Sequence, residues 1–129
     1  MKKRVLLVDD TQDIVTVMKF ILEKNGFEVV VAYDGIQGLQ KAHECKPDIV
    51  ILDIKMPNMS GEELAEELAK DEETAPIPLI FLSNVSGIAL RSLEDKHKDA
   101  DSQGKKQLFL SKSCSEEELI SAIQKVLTL

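Results

Sequence analysis

Short apolar runs alternate along this chain with stretches in which apolar residues recur every three or four positions, the two periods of strand and amphipathic helix. Residues 3–8 form a first run that stops at Asp9-Asp10. Ile14, Val17, Met18, Ile21 and Leu22 then keep helical spacing, with Thr11 or Asp10 placed to cap the helix and Asn25-Gly26 placed to end it. Residues 27–32 predict a second strand and Asp34-Gly35 a turn. Ile36, Leu39, Gln40, Ala42 and His43 predict a shorter helix that ends before Pro47. Residues 48–53 predict a third strand. Its Ile49-Val50-Ile51-Leu52 run, rich in β-branched residues, suits a strand buried on both faces.

A loop over residues 55–61 leads to a helix over 62–69, with acidic residues in its first turn. Residues 71–78 form a polar, proline-marked connection to a fourth strand over 79–82, which ends in Ser83-Asn84. Ile88, Leu90 and Leu93 predict a fourth helix from residue 87 to about 98, and the charged segment 95–106 reads as exposed. A fifth strand covers 107–111. Ser115 and Glu118 have capping-box spacing at the start of a last helix, whose core face is Leu119, Ile120, Ile123, Val126 and Leu127.

Five strand–helix alternations predict an α/β fold with a parallel sheet covered on both faces, and residues 1–129 read as one domain. Apolar residues make up 43% of the chain, enough for one core, which is aliphatic because tryptophan is absent. A formal charge of −7 argues against nucleic acid as a direct partner, since phosphate contacts need a basic patch. Cys45 and Cys114 lie in no metal-ligand spacing and read as free thiols in a reducing compartment. After the basic start, the apolar run is too short for a secretory signal, and no run approaches a membrane span. A cytoplasmic protein without membrane insertion is expected.

The candidate chemistry lies where strands end. In a doubly wound flavodoxin-like (βα)5 sheet of order 2-1-3-4-5, ligands bind outside the carboxyl ends of the strands, and strands 1 and 3 are neighbours. Asp9, Asp10 and Asp53 would then converge. A lone aspartate at such a place more often caps a helix, but three together need a neutralising charge. Mg²⁺ suits an all-oxygen set, and neither His43 nor His97 falls on this edge. Ser83 after the fourth strand can donate a hydroxyl hydrogen bond, and Lys112 after the fifth supplies a compact positive charge. Together these groups suit phosphoryl transfer to a carboxylate.

With these residues in place, the chain resembles the receiver domain of two-component response regulators over essentially its whole length. Asp9-Asp10 matches the family's acidic pair, and Leu52-Asp53-Ile54-Lys55-Met56-Pro57 with Gly61 matches its phosphoacceptor segment. Ser83 stands where the family has its switch Thr or Ser, Lys112 matches the family lysine, and Phe109 holds the position of the rotating aromatic. The resemblance implies a stand-alone receiver, a phosphorelay component that is not a conventional enzyme. A histidine kinase or phosphotransfer protein would phosphorylate Asp53. Asp9, Asp10, Asp53 and the backbone carbonyl of Lys55 would bind Mg²⁺. Ser83 and Phe109 would then move inward, and a downstream protein would read the face of the fourth helix, fifth strand and fifth helix.

This chain departs from the family pattern in several places. Asn84 replaces a small residue and is expected to crowd or hydrogen-bond the phosphate pocket. Ser113 replaces the proline after the family lysine, and a cis bond before serine costs about 3 kcal/mol, so a trans bond is expected. Residues 83–112 form a longer segment than usual. Lys55 and Val85 hold positions that influence dephosphorylation in the family, and Val85 has no group to orient water, so slow self-dephosphorylation is expected. The alternative is a receiver-like interaction module that acts without phosphorylation. A flavodoxin-like cofactor binder would want a Ser/Thr/Gly-rich loop where Asp9-Asp10 stands, and an aspartyl phosphatase would want Asp-x-Asp after the first strand.

Overall fold

The computed structural model describes residues 2–84 and 107–128. In these, β1 (Arg4–Val8), α1 (Gln12–Lys24), β2 (Glu28–Ala32), α2 (Gly35–Cys45), β3 (Ile49–Asp53), α3 (Gly61–Ala69), β4 (Leu79–Ser83), β5 (Gln107–Ser111) and α4 (Glu116–Thr128) follow in order. The strands form one parallel sheet in the order β2-β1-β3-β4-β5, the expected doubly wound, flavodoxin-like arrangement. The predicted helix over residues 87–98 and the charged segment 95–106 lie outside the described residues. The last helix of the sequence reading is therefore α4 here.

Strand pleating sorts the core into two halves. Val5, Leu7, Ile49, Ile51, Ile80 and Leu82 pack with α1 and α4 residues such as Leu22 and Ile123. Leu6, Val8, Val50, Leu52, Leu79 and Phe81 pack with Ala42 of α2 and Leu64 and Leu68 of α3. All five residues of β3 are buried, because a central parallel strand must be apolar toward both helical layers. Its closing residue is nevertheless Asp53.

Local signals account for most element ends. Gly26, at φ 90°, takes the chain out of α1. Ser115 and Glu118 form the expected reciprocal cap of α4, with bonds of 2.9 and 3.1 Å. Two boundaries differ from expectation, and one expected cap lacks its side-chain bond. Asp34 is not a turn residue but the N-cap of α2, its side chain accepting from the Gln37 amide at 2.7 Å. A second capping box, Ser60 with Glu63, starts α3 at Gly61 inside the expected loop. The N-cap of α1 is Thr11, but its side chain makes no capping bond.

The buried stripe of α1 also differs. Val15, Met18 and Leu22 are buried, whereas Val17 is 58% exposed and Phe20 64%. Two residues turn a helix by about 200°, so Val15 and Val17 cannot both face the sheet. The contact of β2, β1 and β3 with the helix selects the Val15 side.

The loop after β3 is held tightly to the strand end. The Gly61 amide donates to the Ile54 carbonyl at 2.8 Å, and a Cβ on Gly61 would collide with the Asp53 carbonyl oxygen. Backbone, not a flexible side chain, occupies that space. Gly61→Ala is expected to destabilise the domain by about 2 kcal/mol, within the range for overpacking. The urea midpoint measures this, and an unchanged midpoint would contradict the close packing.

Candidate functional site

The register of the sheet builds the site. Val8 lies opposite Leu52, Asp53 opposite Leu82, and Ser83 opposite Ser111. Asp9, Asp53, Ser83 and Lys112 therefore stand side by side at one sheet edge, each at or one residue past the end of its strand. The order of strands 1, 3, 4 and 5 brings together the residues expected from the sequence.

Asp9 and Asp53 are buried, and Asp10 is exposed at the rim. The three carboxylates can each place an oxygen within 4.8 Å of the others. Lys112 reaches between the two buried acids. Its Nζ is 2.9 Å from Asp53 Oδ2 and 3.3 Å from Asp9 Oδ2, with the lysine side chain only 8% exposed. Asp9 Oδ1 accepts from the Thr11 amide at 2.9 Å, which anchors the acid to the N-cap of α1. Asp9 Oδ2 is buried without a hydrogen bond, Lys112 being an ion-pair neighbour there and not a geometric donor. An unpaired buried acceptor costs about 1–3 kcal/mol, and the Lys112 ammonium 3.3 Å away offsets part of that cost.

The electrostatics follow from this crowding. Burial pushes the Asp53 carboxyl above its ordinary range, and the Asp9 charge adds to that, while the Lys112 hydrogen bond works the other way. For Lys112, burial works against the charge, but Asp53 and Asp9 outweigh it and hold the ammonium above its usual range. Lys112 stays cationic, and the acids retain an excess of negative charge. The donor set is hard oxygen with one buried, unsatisfied member, which fits a divalent cation such as Mg²⁺.

The other predicted residues take distinct places. Ser83 is buried at the end of β4, and its carbonyl accepts from the Lys112 amide at 2.8 Å. Lys55 is exposed, with its amide 3.4 Å from Asp53 Oδ1. It lines a cleft of about 460 Å³ with Asp10, Ile54, Met56, Pro57, Ser60 and Glu62. Asn84 is exposed. The bond between Lys112 and Ser113 is trans, since the described residues contain no cis peptide. Val85 and His97 lie outside the described residues. His43 sits at the end of α2, 3.7 Å from Asp71, and does not join this edge.

Phe109 is buried on the α3 side of the sheet and stacks on Phe81, with ring centroids 4.8 Å apart and planes 16° from parallel. Its ring already points inward. Phe81 was not singled out in the sequence, although aligning the fourth and fifth strands by their final serines sets Phe81 opposite Phe109. The Thr11 amide was also missed, because backbone donors leave no mark in a sequence.

The fold and this acidic edge define a receiver. The chain belongs to the response regulator receiver domain family, whose model matches residues 5–124. It is similar to protein PilH of Pseudomonas aeruginosa, at 34% identity over 96% of this chain and 97% of that protein. It is also similar to the alkaline phosphatase synthesis transcriptional regulatory protein PhoP of Bacillus subtilis, at 38% identity over 62% of this chain. That match spans 33% of PhoP. Among solved structures, chemotaxis protein CheY4 of Vibrio cholerae superposes with a TM-score of 0.83 at 27% identity, over 98% of this chain and 99% of that one.

Because Asp53 binds its proton more tightly in the fold than in the open chain, its ionised form weighs against folding. That cost is full at pH above the folded pKa and disappears as pH falls below the ordinary carboxylate range. In EDTA at pH 7, Asp53→Asn is expected to raise the melting temperature by roughly 3–5 °C, the effect of about 1 kcal/mol in a domain of this size. The gain should shrink on acidification, as scanning calorimetry at several pH values would show.

Proposed function

We propose that this chain is a phosphorylation switch whose acceptor is Asp53, charged by the phosphohistidine of a histidine kinase or phosphotransfer protein. The observation that carries this reading is the Lys112 ammonium held between Asp53 and the under-satisfied Asp9. A carboxylate oxygen of Asp53 attacks phosphorus and forms the acyl phosphate. The P–N bond to the donor imidazole breaks, and its electron pair leaves with the imidazole. Lys112 then exchanges its contact with Asp53 for the incoming phosphoryl oxygens, and the Ser83 hydroxyl donates to another. Asp9, Asp10, Asp53 and the Lys55 carbonyl would hold Mg²⁺, which supplies charge compensation for the phosphoryl oxygens when bound. Downstream, the face of β5 and α4 is what a partner protein reads, and no nucleic acid is contacted directly. No described helix is long and apolar enough to cross a membrane. The proposal puts the switch in the cytoplasm because its phosphoryl donor would act there.

One observation favours a second reading. Phe109 is stacked on Phe81 within the sheet's core, a packing that a module acting without phosphorylation would also use. Intact mass after incubation with Mg²⁺ and acetyl phosphate separates the two. A phosphoryl-sized adduct is expected that needs Mg²⁺, is absent in Asp53→Asn and is lost to hydroxylamine. No adduct, together with no binding of Mg²⁺ or beryllofluoride, would favour the second reading.

The phosphorylated form is expected to decay slowly, since Val85 has no group to orient an attacking water. Following the adduct by mass over time, Lys55→Ala should leave the decay unchanged. Fast decay abolished by that substitution would assign Lys55 a part in hydrolysis.

A further inference from the structure

We propose that Ser111 and Ser113 are positioning residues for Lys112, forming a hydroxyl clasp that aims its ammonium at the two buried acids. This rests on the reading of Asp53 as phosphoacceptor, and it concerns residues on either side of the charged lysine.

Lys112 is tied into the structure from both directions. Its amide donates to the Ser83 carbonyl at 2.8 Å, extending the parallel ladder one residue beyond β5. The chain then turns toward α4. The Cys114 amide donates to the Ser111 carbonyl at 3.0 Å, which closes a four-residue turn with Lys112 and Ser113 at its centre. Within that turn the Ser113 amide donates to Ser111 Oγ at 3.1 Å, and the two hydroxyl oxygens lie 2.7 Å apart. Two residues later the Ser115 cap fixes the start of α4. The two serines thus brace the turn on either side of the lysine.

This bracing matters because a lysine is a charge on a flexible four-carbon stem. The direction of its Cα–Cβ bond, set by the turn, decides where that charge spends its time. Here the ammonium must rest 2.9 Å from one acid and 3.3 Å from another. The Ser113 peptide is an ordinary trans bond, so hydrogen bonds, not a ring, restrain the turn. Ser113 is exposed, and its hydroxyl can be removed without opening a cavity.

The test compares wild type, Ser111→Ala, Ser113→Ala and Ser113→Thr as full chains. With acetyl phosphate and saturating Mg²⁺, Ser113→Ala and Ser111→Ala should each phosphorylate about three- to tenfold more slowly, the weight of one hydrogen bond. Ser113→Thr, which keeps the hydroxyl, should restore the rate. Mg²⁺ affinity by calorimetric titration should be unchanged or higher, because the three acids remain and a competing cation is loosened. A second readout needs no phosphoryl transfer. The protected Lys112 ammonium signal in a ¹⁵N spectrum of metal-free protein should be present in wild type and weakened in both alanine variants. Wild-type rates and an undiminished ammonium signal in those variants would overturn the proposal. A parallel loss of Mg²⁺ affinity would overturn it too, since that marks general damage to the site. If wild type takes no adduct, the phosphoacceptor reading fails, and the clasp is judged on the ammonium signal alone.

Discussion

The structure turns on an ion pair that is one cation short. Lys112 sits between Asp53 and Asp9 in a place nearly closed to water. A single positive charge cannot neutralise both acids, and Asp9 Oδ2 meets the ammonium only at 3.3 Å, outside hydrogen-bond geometry. Buried charges of this kind cost folding energy unless they are paired, so the site stores an unmet demand for positive charge. Under the proposed function, a metal ion would compensate the acids and a phosphoryl group would give the lysine a new anion. Stability is spent here to keep the edge reactive.

The rest of the fold serves to hold that edge still. A parallel sheet with β3 at its centre places the ends of β1, β3, β4 and β5 in one row. The aliphatic layers above and below leave the strands little freedom to slip, because a one-residue shift would turn every buried side chain to the wrong layer. Gly61 brings the start of α3 against the Asp53 carbonyl. Asp9 is anchored by the first amide contact of α1. The two acids are thus fixed by backbone on opposite sides, and the lysine is the movable member.

Phe109 connects the reactive edge to the flank of the sheet. Its position three residues before Lys112 links any movement of the lysine turn to the strand that carries the ring. The stack on Phe81 is a contact between two strand residues in register. Aromatic pairs of this geometry add about 0.5–1.5 kcal/mol beyond area burial. In this chain that interaction favours the buried ring position. Asp10 and Lys55 form the exposed rim of the acidic edge.

Much of this was legible in the residue order. Five apolar runs alternating with helical periodicity point to a layered α/β domain, because the central runs, such as that of β3, must be buried on both faces. Asp9, Asp10, Asp53, Ser83 and Lys112 at run ends required only the strand order to become one site. What the order alone left open depended on distances between segments far apart in sequence. The choice of Val15 over Val17 as the buried face of α1 was made by the sheet it packs on. The caps at Asp34 and Ser60 came from local geometry that turn-like residues serve equally well. The orphaned oxygen of Asp9, the inward ring of Phe109 and the serine clasp around Lys112 appear only in three dimensions. Hydrogen bonds and ion pairs are decided within a few tenths of an ångström, and periodicity in a sequence positions elements far more coarsely than that.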